Sequence, residues 1–305
     1  MAKKIFELFG YSPNDKSVAA VTACKEQICP SIGGPCSKQI GSASNRIRSG
    51  VCAITDKDGG PVVICPIRLY ADNYALLSTV AKLAFKMTAV KLVDGRQIAN
   101  HSARKNVVAV FGKGWGGELK VPGRPIRGRK SSGFFVDWIL ARLDAKKKLV
   151  EFAALEVQTM DTIGCYRAER EAILSGLEHI GKSAGPNWEN VNKRILPQLI
   201  YKGHLLERES LCQSGLFFAC PDGVFNKIMD RLGSELADYP LKNNSLTFLP
   251  IQLCEPDRAG VTRALKALKP KTTTIQQVSI AFSSPTNLPE AGAYEKAIRV
   301  ALGEK

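Results

Sequence analysis

Two apolar periods divide the chain. Through the first 75 residues, apolar stretches are short and cut by breakers: Pro13, Pro30, Gly33-Gly34-Pro35, Gly41, Gly50 and Gly59-Gly60-Pro61. Such punctuation leaves loops and short strands, among them Val62-Val63-Ile64, which ends on Cys65-Pro66. From Ala75 to Met87 the apolar positions recur at helical spacing. Val107 to Phe111, Phe134 to Leu143 and Leu149 to Val157 then read as strands, with Asp144 to Lys148, three Lys in a row, as the turn joining the last two. Helices are predicted at Arg167 to Ile180, Trp188 to Tyr201 and Val224 to Leu236, strands at Leu246 to Leu253 and Thr273 to Phe282, and a closing helix at Pro289 to Leu302. Strands in a cluster, followed by helices mixed with two more strands, describe an α/β or α+β layer fold in which helices flank a mixed central sheet. A boundary near residue 75 separates a small loop-rich amino-terminal module, 1–75, from a larger domain, 76–305.

Charge adds a partner to this picture. The 305 residues carry 43 Lys and Arg against 28 Asp and Glu, a formal net charge of +15. With 45% hydrophobic residues the composition is that of a folded protein, so the excess points to an anionic partner rather than to a disordered basic tail. Apolar runs stop far short of the roughly 18 residues a membrane span needs. The start, Met1-Ala2-Lys3-Lys4-Ile5-Phe6-Glu7, leads into no apolar signal core, so a cytoplasmic protein with no membrane partner is expected.

Nine cysteines are unusual in a reducing compartment, and five fall within the first 65 residues: Cys24, Cys29, Cys36, Cys52 and Cys65. Cys29 and Cys36 flank a Gly/Pro turn, and Cys52 and Cys65 bracket a hairpin-like stretch with Gly59-Gly60 at its tip. Four thiolates so placed can close a tetrahedral metal site, iron or zinc, although buried free thiols would also satisfy the pattern. The segment has few core residues with which to offset its ordering entropy, which favours the metal. Cys24 is a fifth candidate ligand that can replace Cys29.

Gly112-Lys-Gly-Trp-Gly-Gly117 satisfies the spacing of a dinucleotide fingerprint but is followed by strand and turn residues, so no nucleotide cofactor is expected. Lys120 to Lys130 holds five cations and no acid among two Gly and two Pro. A basic loop containing Arg124, Arg127, Arg129 and Lys130 suits contacts to nucleic-acid phosphates. Just beyond it, Asp137 interrupts the apolar run Phe134 to Leu140, and Glu156 and Gln158 share one face of the next strand. Buried acids are costly unless paired or bound to a metal, and pairing of the two strands lets Asp137 and Glu156 converge on one cation. Glu118 is a further acid near this region.

Asp137 followed nineteen positions later by Glu156-x-Gln158 resembles the PD-(D/E)xK nuclease signature in its Gln variant. The segments Phe9-Gly-Tyr-Ser-Pro13, Cys29-Pro with Cys36-Ser-Lys, Gly50-Val-Cys52, Ile64-Cys65-Pro-Ile-Arg68 and Glu156-Val-Gln-Thr-Met-Asp161-Thr-Ile-Gly164-Cys-Tyr166 resemble NotI-type restriction endonucleases and occur in that family's order. The resemblance covers residues 5 to 166; Val136 stands where the signature has Pro, and Cys24 is an additional thiol. It implies a homodimeric type II restriction endonuclease that makes breaks in double-stranded DNA at a GC-rich, GGCC-centred palindrome. It further implies iron bound by four cysteines in the amino-terminal module and Mg²⁺ in a PD-(D/E)xK core. Asp137 and Glu156 are then the Mg²⁺ ligands, joined by the Val157 carbonyl, and Gln158 orients the attacking water. Two other classes compete: a non-catalytic, metal-stabilised DNA-binding or regulatory protein, and an iron–thiolate electron-transfer protein, which leaves the positive charge unexplained.

Overall fold

In the computed structural model, which describes residues 4–101, 106–121, 133–177, 184–233, 236–284 and 288–304, eight strands make the central sheet. Its antiparallel half begins with β5 (Val107–Gly112), β6 (Trp138–Leu143) and β7 (Leu149–Val157), preceded at the edge by β4 (Lys91–Asp94), which runs parallel to β5. Its other half is parallel: β8 (Leu216–Pro221) lies beside β7, and β9 (Ser245–Leu253) beside β8. Two short strands, β10 (Leu265–Ala267) and β11 (Lys271–Thr274), pair antiparallel with successive parts of β9. Pro250 sits in the gap between those two partners, and because its carbonyl faces Leu268 on that side, its missing N–H interrupts no strand pairing.

Helices cover both faces. α2 (Ala71–Phe85) buries Leu76, Leu77, Val80, Ala81, Ala84 and Phe85 against Val108, Val110, Trp138, Leu140 and Leu155. Its first turn is left-handed at Asp72, Asn73 and Tyr74, so the regular helix starts at the expected Ala75. On the opposite face, α4 (Leu196–Leu206), α5 (Asp222–Leu232) and α6 (Ile275–Ser283) pack on Ala154, Phe218, Phe248 and Leu246. The strands buried by both layers are continuously apolar, as parallel strands covered on two faces must be. The final helix, α7 (Ala293–Ala301), buries no residue.

Two expected elements differ. The strand predicted over Thr273 to Phe282 is instead β11 followed by α6: the Thr274 side chain accepts the Gln277 N–H and caps a helix whose buried positions are Ile275 and Val278. The β-branched run Thr272 to Thr274 carries the strand signal only as far as that cap. The strand predicted over Phe134 to Leu143 is broken at Val136 and Asp137. Phe134–Phe135 pairs with Lys120–Val121 in a separate two-stranded ribbon, and pairing with the main sheet begins at Trp138.

The amino-terminal segment contains α1 (Val18–Glu26) and a three-stranded sheet of β1 (Ile5–Leu8), β2 (Val51–Thr55) and β3 (Pro61–Val63). Gly59, with φ +86°, turns the hairpin that Cys52 and Cys65 bracket. The segment packs on the rest of the chain. Ala53 and Val63 join the core beneath α2, while Ile5, Leu8, Phe9 and Ile54 pack with Tyr166 at the start of α3 (Arg167–Leu174). Glu169 of α3 accepts the Ile5 N–H at 2.8 Å, and Arg170 donates to the Ser49 carbonyl at 2.7 Å. Beneath β1, Glu7 and Arg68 form an ion pair at 3.1 Å with side chains only 0% and 3% exposed, and Arg68 also donates to the Arg263 carbonyl.

A buried guanidinium left without its carboxylate is strongly destabilising. Glu7→Ala is therefore expected to lower stability by roughly 3–5 kcal/mol in urea unfolding. An unchanged midpoint would show that the pair contributes nothing to the attachment of the amino-terminal segment.

Candidate functional site

The break before β6 creates the site. Trp138 pairs with Leu155, so the next residues out along the two strands are Asp137 and Glu156. Here side chains replace the missing ladder bonds: the Val157 N–H donates to Asp137 Oδ2 at 2.9 Å, and the Asp137 N–H donates to Glu156 Oε1 at 3.3 Å. Close approach is needed on the other side of β6, where a Cβ on Gly112 would lie 2.3 Å from the Trp138 ring and 2.6 Å from the Asp137 carbonyl. Lys202 of α4 reaches the same acids, its Nζ 2.6 Å from Glu156 Oε1.

Burial raises both carboxyl pKa values. For Asp137 the Val157 N–H and Lys202 oppose the rise, while the charge of Glu118 adds to it. Glu156 is pushed up to about 7, first by burial and then by Asp137, against the pull of Lys202. Two hard oxygen donors held side by side and destabilised as anions suit a divalent cation, and Asp137 and Glu156 are the residues that would hold it.

Asp137 opens into a cleft of about 1360 Å³ between the amino-terminal segment and the end of the sheet. Gln158 lines the same cleft just past β7; its backbone N–H donates to the Ala219 carbonyl and its amide to the Thr159 carbonyl. Lys38, Lys113 and Asp161 are also on its walls. An aromatic group closes one side: the Trp138 indole donates to the Tyr70 hydroxyl at 3.1 Å, and Tyr74 packs against Trp138 and Trp115 with ring centroids 5.6 and 5.1 Å apart. Burial raises the Tyr70 pKa, and the nearby charges of Asp137 and Glu156 add to the rise. The Gly112 to Gly117 loop turns back on itself through Gly112–Trp115 backbone bonds and continues into Lys120–Val121 rather than opening a helix.

Cys29, Cys36, Cys52 and Cys65 are all buried beside the cleft, and Cys65 lies on its wall. Burial raises the Cys52 thiol well above its usual pKa, with Glu7, Cys65 and Cys29 adding to the effect. Cys65 is raised by burial and, more weakly, by Cys36, while Lys38 opposes. The four thiols match a thiophilic ion in kind, yet no three or more His, Cys, Asp or Glu among the described residues are grouped as a metal cluster. Cys24 is half-buried in the same apolar cluster as Cys29 and Cys36. Arg124, Arg127, Arg129 and Lys130 lie outside the described residues.

Lys202 was absent from the sequence expectations, although its position carries a signal. Ile195, Leu199 and Leu206 are buried at helical spacing, and Lys202 falls on the same face. No protein-family model matches the chain, and no curated protein matches it. Among the described residues no helix is long and apolar enough to cross a membrane.

Because folded Glu156 holds its proton to about pH 7 and the unfolded chain releases it near 4.5, the folded state binds more protons across that window. Stability therefore falls as pH rises through it. Measured by urea unfolding in chelator at pH 5 and pH 8, the wild type is expected to lose roughly 2.5 kcal/mol relative to Glu156→Gln. Parallel losses in the two proteins would contradict the raised pKa.

Proposed function

We propose that the chain is a metal-dependent endonuclease of the type II restriction class, acting on double-stranded DNA in the cytoplasm. The observation that carries this reading is the junction of Asp137, Glu156 and Lys202 at the edge of a cleft. The order of elements supports it: helix α2, antiparallel β5, β6 and β7, helix α4, then β8 parallel to β7, which suits a PD-(D/E)xK core. The net charge of +15 suits a polyanionic substrate. The resemblance to NotI-type enzymes adds a homodimer and a GC-rich, GGCC-centred palindrome, since a two-fold symmetric protein reads a two-fold symmetric site.

Mg²⁺ bound by Asp137 and Glu156 would polarise the scissile phosphate and lower the pKa of the attacking water. Lys202 holds Glu156 in place and brings a positive charge beside the developing phosphorane, the charge that Gln158 cannot provide. Gln158 donates its amide N–H to the Thr159 carbonyl, leaving its carbonyl oxygen to orient a water at the cleft. Lys38 and Lys113 on the cleft walls would contribute positive charge toward the DNA backbone. Cys29, Cys36, Cys52 and Cys65, with Cys24 as the alternate to Cys29, would hold one iron or zinc that fixes the cleft's amino-terminal wall.

The Lys202–Glu156 pair also favours a second reading, a non-catalytic DNA-binding protein whose acids only secure the strand ends. Incubation with phage DNA and Mg²⁺ distinguishes the two: discrete fragments are expected of the nuclease, and intact, retarded DNA of the binding protein. Under single turnover, Asp137→Ala and Glu156→Ala are expected to reduce cutting to background while DNA binding survives. Gln158→Ala should slow cutting by roughly 10²–10³, and Lys202→Met by at least as much. Wild-type rates in Glu156→Ala would overturn the assignment of the site.

Elemental analysis of the purified protein is expected to find one iron or zinc per chain, lost in Cys36→Ser and Cys52→Ser. Fully active protein containing neither metal would exclude the thiolate site.

A further inference from the structure

A second opening lies beside Lys202, the residue that meets Glu156. It is a groove of about 530 Å³ whose walls include Phe134, Phe135, Tyr201, Lys193, Arg194 and Lys202. Lys202 joins it to the site, since the ammonium that lines the groove is 2.6 Å from Glu156 Oε1. The aromatic rings are presented to solvent instead of being packed away: Tyr201 is 50% and Phe135 41% exposed. Phe134 lies against Tyr201 with centroids 4.8 Å apart, and the Lys120 ammonium stands 5.6 Å from the Phe135 ring. Arg194 pairs with Asp161, and Lys193 with Glu189, on the exposed surface. Exposed pairs of this kind exchange readily for a phosphate. No acidic residue is among the described residues lining the groove.

Exposed rings interleaved with cations are matched by a ligand that has a flat apolar face and a regularly spaced negative charge. A duplex hides its base faces, whereas a single strand displays both features together. We propose that this groove binds a single-stranded segment of DNA, stacking an unpaired base on Tyr201 while Lys193 and Arg194 meet the flanking phosphates. The inference rests on the nuclease reading for its placement: Lys202 marks the end nearest the scissile phosphate, so the bound strand would be one whose bases have been unstacked beside the cut.

The groove can be tested in the full chain, in chelator, with fluorescence anisotropy of two probes. One is a short oligothymidylate; the other is an abasic oligonucleotide of the same length and charge. Oligothymidylate is expected to bind about tenfold more tightly per stacked base. Tyr201→Ala should abolish that preference, and Tyr201→Phe and Phe135→Ala should keep it. Lys193→Gln with Arg194→Gln should weaken both probes equally. Neither aromatic is a buried residue of its element, and unchanged circular dichroism would verify folding. Equal affinity of the wild type for the two probes would overturn the proposal, as would a preference that survives in Tyr201→Ala. The nuclease reading fails separately: protein that shows the base preference yet never cuts duplex with Mg²⁺ loses the catalytic assignment and keeps the groove.

Discussion

Everything at the site follows from the register of β6 on β7. Trp138 opposite Leu155 puts Asp137 and Glu156 together at the last step of the ladder, and a slip of one residue would send them to opposite faces. The register is fixed by Trp138, only 1% exposed, wedged against a glycine that leaves no room for any other residue at position 112. Each acid then takes the N–H that a continuing strand would have satisfied. The two carboxylates are thereby immobilised by the backbone they interrupt, and an unfavourable electrostatic pairing is maintained by the packing of the adjacent Trp138.

That arrangement explains why the acids sit between two openings of different chemistry. The cleft, bounded by the amino-terminal segment, offers lysines and polar side chains around Asp137. The groove, bounded by α4 and the Phe134–Phe135 ribbon, offers rings and cations around Lys202. Lys202 lines the groove and meets Glu156, whose neighbour Asp137 lines the cleft. Because Glu156 Oε1 accepts from both Lys202 and the Asp137 N–H, one carboxylate oxygen joins the helical layer to the strand ends.

Much of this was legible in the sequence, for identifiable reasons. The apolar run of Leu149 to Val157 and the polar turn at Asp144 gave that hairpin its limits, and the two acids were visible because charge is conspicuous in an apolar run. The break at Val136 was not visible, because its cause is a tertiary exchange of side chain for backbone bonds. The helix at Ile275 was obscured by the threonines before it, whose cap bond decides the matter only once the chain turns. Lys202 required reading a cation as a member of an apolar face. The burial of four cysteines across the first 65 residues accompanies two turns, both marked by glycine and proline.

The attachment of the amino-terminal segment also sets a timetable. Its anchors lie far ahead in the chain: Ile5 is held by Glu169, 164 positions on; Arg68 by Arg263, 195 on; and Asp15 by Gly260, 245 on. Contacts so distant in sequence form slowly and late. At the usual pace of synthesis, roughly 5–20 residues per second, the ribosome needs about 10–40 seconds to travel from the end of the segment to its last anchor. Until then two of these three anchors are missing, so a nascent chain carries the acids of the site before its amino-terminal segment is fully tied down.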